Sequence, residues 1–141
     1  MNLQGIRRKI VYVSLFEVVA VAITSTGLAA GSDSSLQHAS VIAVATSVIA
    51  VVWNLVYNTF FERWEERQTV RGRSFKRRAA HANGIELGFI VSLVPLFAWW
   101  LDIGFWHALV LDLGLSLFFL VYTFAFNLGF DKVFGLPASA A

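Results

Sequence analysis

The 141-residue chain has no cysteine, two prolines and only 14% charged residues. Without cysteine there is no disulfide, thiolate metal site, haem attachment or cysteine nucleophile. Two prolines and ten scattered glycines rule out a collagen-like or low-complexity chain. The shortage of charge excludes disorder, which needs low hydrophobicity and high net charge. It also excludes an ordinary soluble domain, which is about 25% charged and 45–50% apolar. Here 57% of residues are hydrophobic and the mean hydropathy is +0.68. No nucleophile triad, phosphate loop or metal cluster occurs, so no enzyme activity, cofactor or metal is expected.

What the chain does have is four apolar stretches, at about 10–30, 40–61, 80–101 and 108–130, each close to the ~20 residues a bilayer requires. The expected fold is an all-α membrane protein of four transmembrane helices. The first stretch is too long for a signal-peptide core and no convincing small-residue cleavage site follows it, so it is expected to be retained. The basic residues fall on one side. Arg7, Arg8 and Lys9 precede span one, seven more lie between Arg63 and Arg78, and Lys132 follows span four. Turns 31–39 and 102–107 contain none, only Asp33 and Asp102. Positive-inside bias then predicts cytoplasmic termini and a cytoplasmic 62–79 loop, in a bacterial inner membrane. A net charge of +2, with Glu62, Glu65 and Glu66 in that loop, argues against nucleic acid and for lipid headgroups as its neighbours.

Displacing the sequence by 69 residues exposes two related halves, expected to be 1–69 and 70–141. Arg8 falls on Arg77, Glu17 on Glu86, Asp33 on Asp102, His38 on His107, Trp53 on Tyr122, Asn58 on Asn127 and Phe61 on Phe130. Each half is a helical hairpin, so the repeats are parallel.

Glu17 and Glu86 each stand eight residues past a basic residue, ~12 Å along a helix. Both are therefore expected within the hydrocarbon, where a charge costs about 2.5–3.5 kcal/mol. A short glutamate cannot snorkel out, so each should face the bundle interior and exchange a proton or cation. Asp112, about one turn inside span four, is a third candidate and breaks the symmetry, because its repeat partner is Ala43. Small residues, among them Gly84 and Gly88, allow close helix approach beside Glu86, and Asn83 stands one turn before it. His81 is a candidate proton relay. Asn54, Asn58 and Glu62 form one line along span two, matched by Thr123, Asn127 and Asp131. Beside them run Trp53, Tyr57 and Phe61, matched by Tyr122, Phe126 and Phe130. Such aromatics are an interfacial belt or, with the acids, a surface for a flat cationic guest.

With these residues the sequence resembles the proteobacterial antimicrobial compound efflux (PACE) family, built from tandem bacterial transmembrane pair domains. The resemblance rests on Arg78-x-x-His81-x-x-x-Ile85-Glu86, with Lys9-x-x-Tyr12-x-x-x-Phe16-Glu17 in the first repeat. It rests equally on Trp53-Asn54-x-x-Tyr57-Asn58-x-x-Phe61-Glu62, and on Asp112 followed by Tyr122, Phe126, Asn127, Phe130 and Asp131. Tyr12, Lys9 and Ile85 depart from the family's His, Arg and aromatic. The resemblance implies proton-coupled export of cationic biocides such as chlorhexidine and acriflavine, or of short-chain diamines, with Glu17 as the proton-linked residue. Four helices enclose little volume, so a homo-oligomer, a dimer first, is expected. A structural membrane subunit and a proton or cation channel are the competing readings.

Overall fold

A computed structural model describes residues 3–72 and 74–136, so Arg73 of the basic loop lies outside the described residues. Four long apolar helices account for the chain: α1 (Gly5–Ser32), α2 (Leu36–Glu66), α3 (Phe75–Trp100) and α4 (Phe105–Phe134). All four are long and apolar enough to cross a membrane. Each begins a few residues before the apolar stretch that foretold it, and in α2 and α3 a serine cap starts the helix in the polar flank. Ser35 accepts from the His38 backbone N–H at 3.1 Å, and Ser74 from that of Arg77 at 3.3 Å. Each hydroxyl satisfies one orphan donor of its helix.

The two short turns are built alike. Asp33 and Asp102 both adopt left-handed backbone, with φ of 53° and 52°. Ser34 N–H then reaches back to Ala29 O, and Ile103 N–H to Ala98 O, each at 3.1 Å. This is the Schellman closure of a helix end, and aspartate tolerates αL better than most side chains. The repeated aspartates thus serve the turn.

The helices pack as a ring in which α1 touches α2 and α4, and α3 touches α2 and α4. Burial is concentrated at the end carrying the two turns. There Leu28, Ala39, Ile42, Leu93, Val94, Phe97, Leu101 and Ala108 form one apolar cluster. Leu28 and Phe97, both fully buried, are repeat partners at its centre. Toward the termini the helices separate around a cavity.

Paired cross-links related by the repeat hold the ring. His38 and Trp100 stack at 4.8 Å and exchange bonds with each other's backbone carbonyls, while His107 bonds Gly31 O at 2.6 Å. Trp53 Nε1 donates to Ile85 O at 3.1 Å, and Tyr122 Oη to Phe16 O at 3.0 Å. His81 bonds Asn58 at 2.6 Å, as Tyr12 bonds Asn127 at 2.5 Å. At the termini the symmetry breaks. Arg8 forms an ion pair with Asp131 and lies 4.9 Å from the Phe130 ring centre. Arg77, its repeat partner, lies over Trp64 and donates to Gly72 O.

The α2–α3 contact depends on missing side chains. A Cβ on Gly88 would stand 2.0 Å from Trp53, and one on Gly84 would stand 1.9 Å from the Tyr57 hydroxyl. Gly88→Ala is therefore expected to displace the indole and cost about 1–3 kcal/mol. Thermal melting in detergent checks it, with Gly114→Ala, whose Cβ would meet nothing, as the unaffected control.

Candidate functional site

The separated helices enclose a cavity of about 1090 Å³ to which all four contribute. It runs from Thr24, Ala43, Leu93 and Asp112, beneath the apolar cluster, to Asn58, Glu62 and Asn127 near the termini. Its lining holds four carboxylates (Glu17, Glu62, Glu86 and Asp112) and no Lys, Arg or His. Polar uncharged groups accompany them: Thr46, Ser47, Asn54, Ser116 and Thr123.

Glu17 and Glu86 are held in the same way. Ser47 Oγ on α2 donates to Glu17 Oε2, and Ser116 Oγ on α4 donates to Glu86 Oε1 at 3.1 Å. Ser47 and Ser116 are themselves 69 residues apart, so each repeat carries one glutamate on its first helix and the orienting serine on its second. The sequence reading passed over these serines. Their identity in the repeat register was the available signal. A hydroxyl with this donor role fixes the carboxylate's rotamer and leaves its other oxygen facing the cavity. Asn83, which the helical spacing puts near Glu86, is exposed, and the bond comes from the neighbouring helix instead.

Asp112 is deeper than its sequence position suggested. α4 begins at Phe105, so Asp112 lies two turns in, and it is 2% exposed.

The remaining candidates divide. Asn54, Asn58 and Asn127 line the cavity. Trp53, Tyr57, Tyr122 and His81 do not; they occupy the helix contacts behind its wall, against Gly88, Gly84, Phe16 O and Asn58. Tyr57 and Phe61 flank the His81 ring at 5.4 and 4.8 Å. Among the described residues no group of His, Asp and Glu is arranged to hold a metal.

A family model described as "Chlorhexidine efflux transporter" matches the chain twice, over residues 4–67 and 73–136. The chain belongs to this family of bacterial transmembrane pair proteins. The two matched segments follow the internal repeat, and each carries one Glu–Ser pair. The chain is 32% identical over 127 residues to a short-chain diamines transporter of Acinetobacter baylyi, covering 90% of this chain and 89% of the relative. It is 35% identical over 125 residues to a short-chain diamines transporter of Vibrio parahaemolyticus, covering 89% of each. No solved structure matches. The protein is thus a multi-pass membrane transporter of the PACE efflux family and not an enzyme.

Proposed function

We propose that this transporter exports cationic small molecules in exchange for protons, with the four-acid cavity as the shared site. The observation that carries the reading is the lining itself: four carboxylates, no basic group, and two glutamates oriented by repeat-related serines. An apolar cavity of this size with few convergent polar groups suits an organic cation. Acids kept at membrane depth despite their cost suit a proton-linked step. The relatives' names suggest short-chain diamines, and the family description suggests chlorhexidine.

In this reading the termini face the cytoplasm, as the basic residues favour. The cation enters past Glu62, Asn58 and Asn127 and displaces a proton at Glu17. Closure of the termini end and opening at the turn end then expose the acid to the outside, where re-protonation releases the cation. Asn54, whose amide nitrogen donates to Ala50 O, offers its amide oxygen along the route. Trp53, Tyr57, Tyr122 and His81 keep the helices in register as they move. A second copy of the chain completes the assembly.

Proteoliposomes with an acidic interior test this. Accumulation of 1,3-diaminopropane, saturable and abolished when the proton gradient is collapsed, is the expected result. Current without saturable exchange would replace the reading with a channel. No gradient-driven flux of diamine, chlorhexidine or acriflavine would leave a structural subunit.

A further inference from the structure

The two repeats are alike in their turns and in their Glu–Ser pairs, yet one pair of repeat-related positions lining the cavity differs in charge. Asp112 stands where the first repeat has Ala43, and both residues line the cavity. Asp112 is one turn before Ser116 on α4, and Ser116 holds Glu86 from the same face. The Asp112 carboxyl shares the Ser116 end of the cavity with that of Glu86. Its Oδ2 is buried and meets no hydrogen-bond donor. No cation is near. Across the cavity α1 presents Glu17, α2 presents Ala43, Thr46 and Ser47 at this level, and His107 is engaged with Gly31 O at the turn end.

Two carboxylates at one end of a cavity at membrane depth repel each other, and a proton held between them relieves that charge. An orphaned buried oxygen beside them needs a donor. An ammonium group meets that need, because its three N–H bonds can serve both carboxylates at once. We propose that Glu86 and Asp112 form one carboxyl–carboxylate pair that surrenders its shared proton to take an ammonium group, an exchange site absent from the first repeat.

The balance is simple. The pair bears one negative charge with its proton. On binding it loses the proton to cavity water, becomes doubly negative and takes one positive charge, so the site's net charge is unchanged. The exchange therefore needs no compensating ion. It also makes the repeats unequal: the Glu17–Ser47 side offers one acid, and the Glu86–Asp112–Ser116 side offers two. Asp112 stands one turn below Ala108 of the apolar cluster, at the closed end, where a proton arriving from the turn side would be received first.

The inference deepens the cation–proton reading of the cavity and rests on it, so two readouts are needed. The first is ligand-free. The infrared carbonyl band of a protonated carboxyl is expected in the wild type at neutral pH and lost in Asp112→Asn. Its persistence there would overturn the pair. The second is calorimetry with 1,3-diaminopropane in two buffers of different ionisation enthalpy. The wild type is expected to release about one proton more per ligand than Asp112→Asn. Equal release by both would also overturn the proposal. If no diamine binds, the diamine form of the transport reading fails and the infrared result alone decides the pair. Asp112→Ala, which places the first repeat's residue here, serves where the asparagine variant fails to fold, and Asp112→Glu is expected to restore both signals.

Discussion

Glu17→Gln is expected to retain the fold, bind cations more weakly and lose the larger part of the pH dependence of that binding. The glutamine keeps the volume and an acceptor oxygen for Ser47, so the α1–α2 contact that the serine makes survives. What disappears is the charge. Glu17 is half-buried, and a hydrogen-bonded carboxylate enclosed opposite a cation contributes about 2–5 kcal/mol, so affinity for chlorhexidine or a diamine should fall roughly 30-fold. The sign of the pH effect follows from competition. In the wild type a proton and the cation contend for the same oxygens, so binding strengthens as pH rises from 5 toward 9, whereas glutamine has no proton to lose and its profile should keep only the pH dependence that the Glu86–Asp112 pair supplies. Titration of purified protein by tryptophan fluorescence, with circular dichroism for the fold, checks both. Unchanged pH-dependent binding in the mutant would move the proton-linked step to Glu86 and Asp112. Ser47→Ala should fall between: the charge remains, but its orientation is lost, so affinity drops while pH dependence stays.

The four spans and the repeat were legible because lipid imposes the first from outside and a duplication the second. A bilayer demands spans of fixed length, charge sorts to one side, and a duplicated hairpin preserves its register. The matched glutamates were legible for the same reason, since an acid at membrane depth is costly enough to need a purpose. The aromatic stripes were misleading in a way helix geometry explains. Trp53, Tyr57 and Phe61 each precede Asn54, Asn58 and Glu62 by one residue, which is ~100° around the helix. Both lines cannot face one cavity. The asparagine line does, which turns Trp53 and Tyr57 onto Gly88 and Gly84 of α3. Sequence periodicity shows that a face is repeated, but only packing shows what it meets. Asp33 and Asp102 looked like outer acids and prove to be turn formers, because left-handed backbone has no signature beyond residue type. Asp112 was visible as an asymmetry, but its burial and its approach to Glu86 depend on where α3 and α4 cross.

The apolar cluster at the turn end sets the second large effect. Below it lies a cavity polar enough to hold water; above it are only the two short turns. Leu28 and Phe97 fill its centre with no exposed surface. Phe97→Ala removes a ring whose loss costs about 3–5 kcal/mol in a water-soluble core. In a membrane protein the reference state is itself apolar, so the transfer part of that cost shrinks and the lost contacts and the void remain. The void borders a hydrated space on one side and a thin layer of side chains on the other. Water is expected to enter, because the carboxyl of Asp112 at the cavity floor supplies the polar partner that an all-apolar void lacks. A continuous water path joins the two sides and carries protons without any cation moving. In proteoliposomes loaded with a pH-sensitive dye, an imposed proton gradient should therefore decay faster with Phe97→Ala than with wild type, in the absence of substrate. Val91→Ala, on the outer face of the same helix and 74% exposed, should leave the decay unchanged. Leu28→Ala should leak as well, less strongly because it removes less volume, and the double mutant should exceed both. A lowered melting temperature without any leak would make the cluster a packing core alone and would place the closed gate elsewhere along the helices.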